Sequence, residues 1–483
     1  MEKLKSFFFE NTNTKQTIVK NTFWLFLSET SGRLLKMGLI VYAARVLGAS
    51  GWGLFSYAIS VASLLTMFAD IGISDLVIRE ITQKKEGYRT FISTALLLKV
   101  IVLTVSTFLV IFVSPFISQI PEANSLFFLI ALILFFDSMR ELGLSINRAS
   151  EKMERDMVVK VATNASIFIL GVLLLKTQLA PESIALAYAI GSFVGFVMIT
   201  VIIWKDLGAL FAKVDLKIFK VIIKTTWPFV FITLIGVIMG NIDIYMLGVW
   251  KNAEEIGLYA SVQRIQQFIM IIPSTIAVAV FPLMSRLANS DKTQLKTTLE
   301  KTLSLIMLVG IPISLGGILL ADQLILKVFG EGYVGAIPIF QVFMSMLLIS
   351  FPLVLLSNAI FAQNKQRSLA PAYSLGILAN ILFNLLLIPK FGAVGASVAT
   401  LISTGTITVF IWMKLEIIND FKILGNLKKS FLATLIMTCF VFIFGYFEMS
   451  VVLNIFVSAV IYLSALLLLK ESILKDLKEI VRN

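Results

Sequence analysis

The chain has 483 residues, 58% hydrophobic and 14% charged, with a net charge of +12, no histidine and one cysteine. Soluble domains carry about 25% charged residues, so this composition excludes one and specifies a polytopic membrane protein. Histidine-based catalysis or metal binding and a disulfide within the chain are excluded too, and the basic excess reads as cytoplasmic loop residues rather than nucleic-acid binding.

The first residues, MEKLKSFFFENTNTKQTIVKN, are polar and basic after a short phenylalanine cluster. No small-residue cleavage site precedes the first long apolar run, so no cleavable signal peptide is expected. Apolar segments then predict an all-α membrane protein of fourteen spans, at 22–45, 52–78, 90–118, 123–147, 157–176, 182–204, 221–250, 256–284, 299–321, 335–361, 369–389, 393–413, 429–447 and 449–469. If the N-terminus is cytoplasmic and the spans alternate, 31 of the 41 Lys and Arg fall in cytoplasmic tails and loops or the span ends adjoining them, five in outer loops or their adjoining span ends, and five deeper inside spans. That asymmetry predicts both termini on the cytoplasmic side. The loops are all short, so function is expected to reside in the helix bundle.

Ionisable residues inside a span are costly and face a bundle interior or a watery cavity. Span 1 carries Glu29, Arg33 and Lys36 in ETSGRLLK, spaced to lie on one helical face. Span 2 carries Asp70 and, near its end, Asp75; span 3 carries Lys99. Asp137, Arg140 and Glu141 share a face of span 4, span 7 carries Asn241 and Asp243, and span 8 places Arg264 among glutamines in QRIQQ. Charge therefore concentrates in spans 1–4 and in 7 and 8, and spans 1, 2, 7 and 8 are expected to line a cavity. Glu29 with Arg33, and Arg140 with Asp137 or Glu141, also have the spacing of internal ion pairs. Lys36, Lys99 and Arg264 have no acidic residue three or four positions away. Cations of that kind beside a cavity favour an anionic substrate such as phosphate or pyrophosphate. A coupling ion, Na+ or H+, would call instead on a buried carboxylate, with Asp70 and Asp243 as candidates; no metal site and no resident cofactor are expected. Pro228, Pro273, Pro312, Pro338 and Pro352 fall in or at the ends of spans 7–10, where they predict kinks.

The chain also resembles itself. GLFSYAIS at 53–60 opens span 2 and GLYASVQR at 257–264 opens span 8, an offset of 204. RASEKMER follows span 4 and FAQNKQR follows span 10, while ITVIIW and ITVFIW end spans 6 and 12. The order and position of these matches predict two parallel six-helix repeats with a substrate site between them. The expected organisation is an N-terminal lobe at 1–210, a C-terminal lobe at 211–420, and two further helices with a cytoplasmic tail at 421–483.

The segment ARVLGASGWGLFSYAIS…FADIGISDLVIRE, RASEKMER after span 4, and fourteen spans arranged as six, six and two resemble the bacterial polysaccharide (O-antigen-type) flippases of the multidrug/oligosaccharidyl-lipid/polysaccharide exporter superfamily. The resemblance covers essentially the whole chain. It implies transfer of an undecaprenyl-pyrophosphate-linked oligosaccharide from the inner to the outer leaflet of the bacterial cytoplasmic membrane, by alternating access and without catalysis. It also implies that cations on the first and eighth helices, here Arg33, Lys36 and Arg264, hold the pyrophosphate. Membrane lipid and polysaccharide assembly proteins are the further partners it implies, with the protein itself a monomer. A lipid II flippase or a cation-coupled drug exporter of the same fold is the alternative reading. A membrane glycosyltransferase or polymerase would need catalytic residues on a substantial outer loop, and the outer acidic residues here sit on short ones.

Overall fold

The computed structural model describes residues 14–67, 72–83, 88–204, 214–415 and 423–471, and among them the regular structure is helical. Its contacts form two compact units, Met1–Gly257 and Leu258–Asn483. The first unit contains α1 (Thr14–Leu65), α2 (Ile73–Thr82), α3 (Tyr88–Phe112), α4 (Phe127–Ala149), α5 (Met153–Thr177), α6 (Pro181–Ile202) and α7 (Leu216–Trp250). Helix α8 (Ala253–Ile269) begins in it and continues into the second unit. The second unit then contains α9 (Ile271–Ser290), α10 (Lys292–Leu319), the short α11 (Ala321–Phe329), α12 (Ala336–Ala362), α13 (Leu369–Lys414), α14 (Ile423–Tyr446) and α15 (Val451–Leu468). Contacts place α7 in the first unit, where it packs on α1 and α3.

Two long helices are each two crossings joined at a glycine. Gly48 in α1 has φ 69° and Gly392 in α13 has φ 56°, backbone that a Cβ disfavours. These breaks fall in the gaps predicted between spans 1 and 2 and between spans 11 and 12. Among the described residues, eleven helical stretches are long and apolar enough to cross a membrane, the two containing these kinks included. Helix α4 is not one of them, because Asp137, Arg140 and Glu141 lie within it. Dividing the two kinked stretches and adding α4 accommodates the fourteen predicted crossings.

Two spans depart from their predicted continuity. Span 2 was expected to run unbroken over 52–78, but its first helix ends at Leu65 and α2 starts afresh at Ile73 behind Gly72, which has φ 75°. Asp70 lies outside the described residues. Span 8 was expected over 256–284 and is interrupted at Met270. Pro273 has no N–H to offer the Ile269 carbonyl, so one bond of the helical ladder is missing where the interruption falls.

Between lipid-facing helices the hydrophobic effect supplies little, and close packing of small residues and polar links do the work. In the first unit α1 packs along α5, α5 on α6 and α6 on α4, around a core that includes Leu76, Leu98, Leu142, Val159 and Ile199. Gly53 and Gly257, the repeat-equivalent residues, meet there. A Cβ on Gly53 would collide with the carbonyl oxygen of Ala253, and one on Gly257 with that of Ala49. Each helix thus sets an Ala against the other's Gly, four residues apart, in a reciprocal crossing of the small-xxx-small kind. The outer side of α3 shows the opposite character: Ile101, Val105, Phe108 and Phe112 are exposed, as suits a lipid-facing stripe.

In the second unit α10 packs on α12 and α12 on α13, while α14 and α15 pair and dock on α10. Pro312 in α10 leaves the Leu308 carbonyl without its helical donor. The Tyr462 hydroxyl of α15 donates to that oxygen at 2.6 Å and, with its proton so used, accepts from Ser430 of α14 at 2.9 Å. Asn454 joins α15 to the Val441 carbonyl of α14 at 3.2 Å, and Ser314 of α10 donates to the Met344 carbonyl of α12 at 2.7 Å.

Candidate functional site

Helices α1, α4 and α5 surround a polar cavity of about 220 Å³ in the first unit. From α1 come Glu29, Arg33 and Lys36, brought to one wall by their spacing of four and three residues. From α4 come Arg140 and Glu141. Helix α5 contributes Lys160, Thr163 and Asn164, again one face of a helix. Gly32 lets α1 approach α5: a Cβ there would stand 2.8 Å from Asn164 Nδ2. On the far side Gly195 of α6 leaves room for Thr163 and for the stem of Arg140.

Ion pairs order this wall. Lys160 Nζ donates to Glu29 Oε1 at 2.5 Å, and Arg33 Nε stands 3.7 Å from Glu29 Oε2. Arg140 Nη1 pairs with Asp137 at 2.7 Å. Glu141 is held from below by Arg148 at 2.7 Å, and Arg148 also binds the fully buried Asp156 at 2.7 Å. Asn147 completes that cluster with a 2.8 Å hydrogen bond to Asp156. Burial acts to lower the pKa of the Arg148 guanidinium, but the charges of Glu141 and Asp156 outweigh it and hold the group above its ordinary value. A second tie fixes the entrance of α1, where the buried Lys20 pairs with Glu154 at 3.3 Å.

The lining of the cavity holds four cations, Arg33, Lys36, Arg140 and Lys160, against two carboxylates, Glu29 and Glu141. Glu141 is already engaged by Arg148, a residue outside the lining. Arg33 and its partner Glu29 are each about half exposed, with 49% of the side chain accessible. The arrangement is one of accessible donors with positive charge in excess, which suits a phosphate or pyrophosphate ester.

The structure brings together only part of the predicted set. Arg33, Lys36 and Glu29 share the cavity, and Arg140 joins them from span 4 while also pairing with Asp137. Lys99 is fully buried in α3 and lines neither this cavity nor a neighbouring one. Asp243 is buried in α7. Arg264 lies in the second unit, where its Nη1 donates to Gln267 at 2.9 Å. Within the first unit the walls of this cavity are spans 1, 4 and 5, whereas the charge pattern points to spans 1, 2, 7 and 8, and neither span 2 nor span 7 contributes a lining residue. Lys160, Thr163 and Asn164, close to the start of span 5, are not among the residues the sequence singles out. The spacing that puts them on one face was present, a Lys and an Asn four residues apart in the first half of the helix, but nothing local shows which wall that face meets.

The polysaccharide biosynthesis protein family model matches residues 18–288, more than half of the chain, and the MatE family model matches residues 228–388. The probable low-salt glycan biosynthesis flippase Agl15 of Haloferax volcanii is 21% identical over 397 residues, spanning 81% of this chain and 82% of that protein. The putative O-antigen transporter of Shigella flexneri is 24% identical over 408 residues, 79% of this chain and 94% of the relative. Among solved structures, the inward closed conformation of the lipid II flippase MurJ superposes with a TM-score of 0.76 at 17% identity, covering 92% of this chain and 98% of that one. At that identity the likeness concerns the fold.

Proposed function

The chain belongs to the polysaccharide biosynthesis protein family, as a multi-pass flippase of the multidrug/oligosaccharidyl-lipid/polysaccharide exporter superfamily, and from that premise we propose its substrate and site. The substrate is an undecaprenyl-pyrophosphate-linked oligosaccharide, moved from the inner to the outer leaflet of the bacterial cytoplasmic membrane by alternating access. The observation that carries this reading is the cavity of α1, α4 and α5, with four lining cations against two carboxylates. The pyrophosphate exchanges places with internal ion pairs: as it enters, Arg33 and Lys160 turn from Glu29 to the phosphate oxygens, where charge-assisted and bidentate bonds are stronger. Lys36 adds a further donor, and Arg264 is assigned the corresponding role on α8.

The basic-residue asymmetry supports an orientation with both termini in the cytoplasm. The same asymmetry supports a cavity that opens toward the cytoplasmic half of the bilayer, where a lipid-linked substrate made inside would enter. Any coupling ion, Na+ or H+, would engage a buried carboxylate such as Asp243. The names of the two glycan-pathway relatives favour a glycan carrier over lipid II or a drug as cargo.

The test is replacement of Arg33 and, separately, Arg264 by Ala in cells that depend on this protein for surface glycan. Both variants are expected to reach the membrane at normal levels and to export no glycan. Normal export by both would overturn the pyrophosphate assignment.

A further inference from the structure

Arg140 and Glu141 have a second aspect. They also line a separate cavity of about 320 Å³ between α1, α3 and α4. This places the two residues as a wall shared with the phosphate cavity, which they line as well. The second cavity has a different chemistry. Hydroxyls enter it from three helices: Thr66 at the end of α1, Ser106 and Thr107 on α3, and Ser138 on α4. Phe135 supplies an aromatic side chain, and Asp137 and Glu141 supply carboxylates. Arg140 Nε is buried and makes no hydrogen bond among the described residues.

An inorganic cation is a poor match for such a space, since cation sites gather oxygens in a tight shell at about 2.0–2.6 Å. The volume instead lies at the lower end of small-molecule sites, roughly 300–1,000 Å³, which are largely apolar with a few placed polar groups. A pyranose ring asks for what is present. Its hydroxyls both donate and accept, and are met by carboxylates that accept, a guanidinium that donates and side-chain hydroxyls that do either. Its C–H face is apolar and is met by an aromatic ring. An unsatisfied buried guanidinium N–H is costly, and a ligand oxygen would relieve that cost.

We propose that this cavity is the sugar subsite of the transported lipid, taking a pyranose ring next to the pyrophosphate, with Phe135, Thr107, Ser138 and Asp137 as its contacts and Arg140 at the junction of sugar and phosphate. The assignment rests on the phosphate reading of the neighbouring cavity. In the orientation that the basic residues support, the α4 stretch from Glu141 back to Ala131 leads outward from the phosphate cavity over about 15 Å, so the glycan leads and the lipid trails on entry from the inner leaflet.

The experiment compares binding of undecaprenyl pyrophosphate with that of a panel of the same carrier bearing glucose, galactose or N-acetylglucosamine, by native mass spectrometry of the full chain in lipid nanodiscs. The wild type is expected to bind at least one glycosylated carrier about tenfold more tightly than the bare one, the worth of one or two good hydrogen bonds. Phe135→Ala and, independently, Thr107→Val are expected to erase that preference and leave affinity for the bare carrier unchanged. Lys160→Ala is expected to weaken all carriers alike. Binding of the bare carrier with no preference for any sugar overturns the subsite and leaves the phosphate reading standing. A preference that survives in both variants also overturns it. If the wild type binds none of the carriers, the phosphate reading itself fails, and the subsite with it. Replacing K+ by Na+ adds a further arm: stabilisation of the wild type by Na+, lost in Asp137→Asn, would make the cavity an ion site instead.

Discussion

The two units tie their helices together in different ways. In the first, the links across α1, α4 and α5 are ionic: Glu29 with Lys160, Lys20 with Glu154, and Arg148 with Glu141 and Asp156. In the second, the links described between α10, α12, α14 and α15 run from neutral hydroxyls and amides to backbone carbonyls, at Tyr462, Ser314 and Asn454. The difference follows from what each link must do. An ion pair beside a water-filled cavity can be opened by a competing anion, because the incoming phosphate replaces the carboxylate at little net cost. A hydroxyl bound to a carbonyl that proline has orphaned has no such competitor in a dry interface. The first pattern suits a site that exchanges partners, and the second suits a scaffold that keeps them.

Substitutions can break or sharpen this contrast. The largest effect is expected from Arg148→Ala, which takes the ion-pair partner from the fully buried Asp156 carboxylate and leaves it the Asn147 hydrogen bond. Breaking a buried pair from one side costs about 3–5 kcal/mol, so folded protein in the membrane should fall sharply, as read by thermal unfolding in detergent. Recovery of stability in Arg148→Ala/Asp156→Asn would show that the stranded charge is the cause. Next, Lys160→Ala removes a cation from the cavity and releases Glu29 into it. Binding of undecaprenyl pyrophosphate should weaken by roughly 10- to 100-fold, in line with about 1.5–3 kcal/mol for a charge-assisted bond, while thermal stability changes little. An unchanged affinity would move the phosphate away from α5.

The effects in the second unit should be smaller and confined to stability. Tyr462→Phe leaves the Leu308 carbonyl unsatisfied at the α10 proline and should cost about 1 kcal/mol, visible as a lower unfolding midpoint with binding intact. The smallest change is expected from Ser314→Ala, at about 0.6 kcal/mol, the average for hydrogen bonds between membrane helices. If Tyr462→Phe instead impaired binding, the distinction between exchanging and fixed links would not hold.

Much of the fold was legible because lipid imposes one rule on every crossing. A span must be helical, apolar and about twenty residues long, so length and hydropathy mark it, and the Gly48 and Gly392 breaks fell where turns were expected. The breaks inside spans 2 and 8 were less legible. Each has one residue beside it, Gly72 with its left-handed backbone or Pro273 with its missing N–H, that leaves the hydropathy of the segment almost unchanged. The site was half legible. Spacing along one helix places Glu29, Arg33 and Lys36 together without any knowledge of the fold. Lys160 meets Glu29 only through the packing of α1 on α5, across 131 residues of sequence, and no local pattern announces it.

The crossing of Gly53 and Gly257 has a consequence for how a duplicated chain ages. Most positions of a duplication can drift apart, since each copy answers only to its own surroundings. At this crossing each copy is the other's surroundings. Enlarging either glycine pushes against a backbone carbonyl of the opposite segment, and no matching reduction is available, because a backbone carbonyl cannot be made smaller. The two matching segments are thus held to the same small residues at this crossing, which gives a physical reason for the offset of 204 to be readable at this point of the sequence.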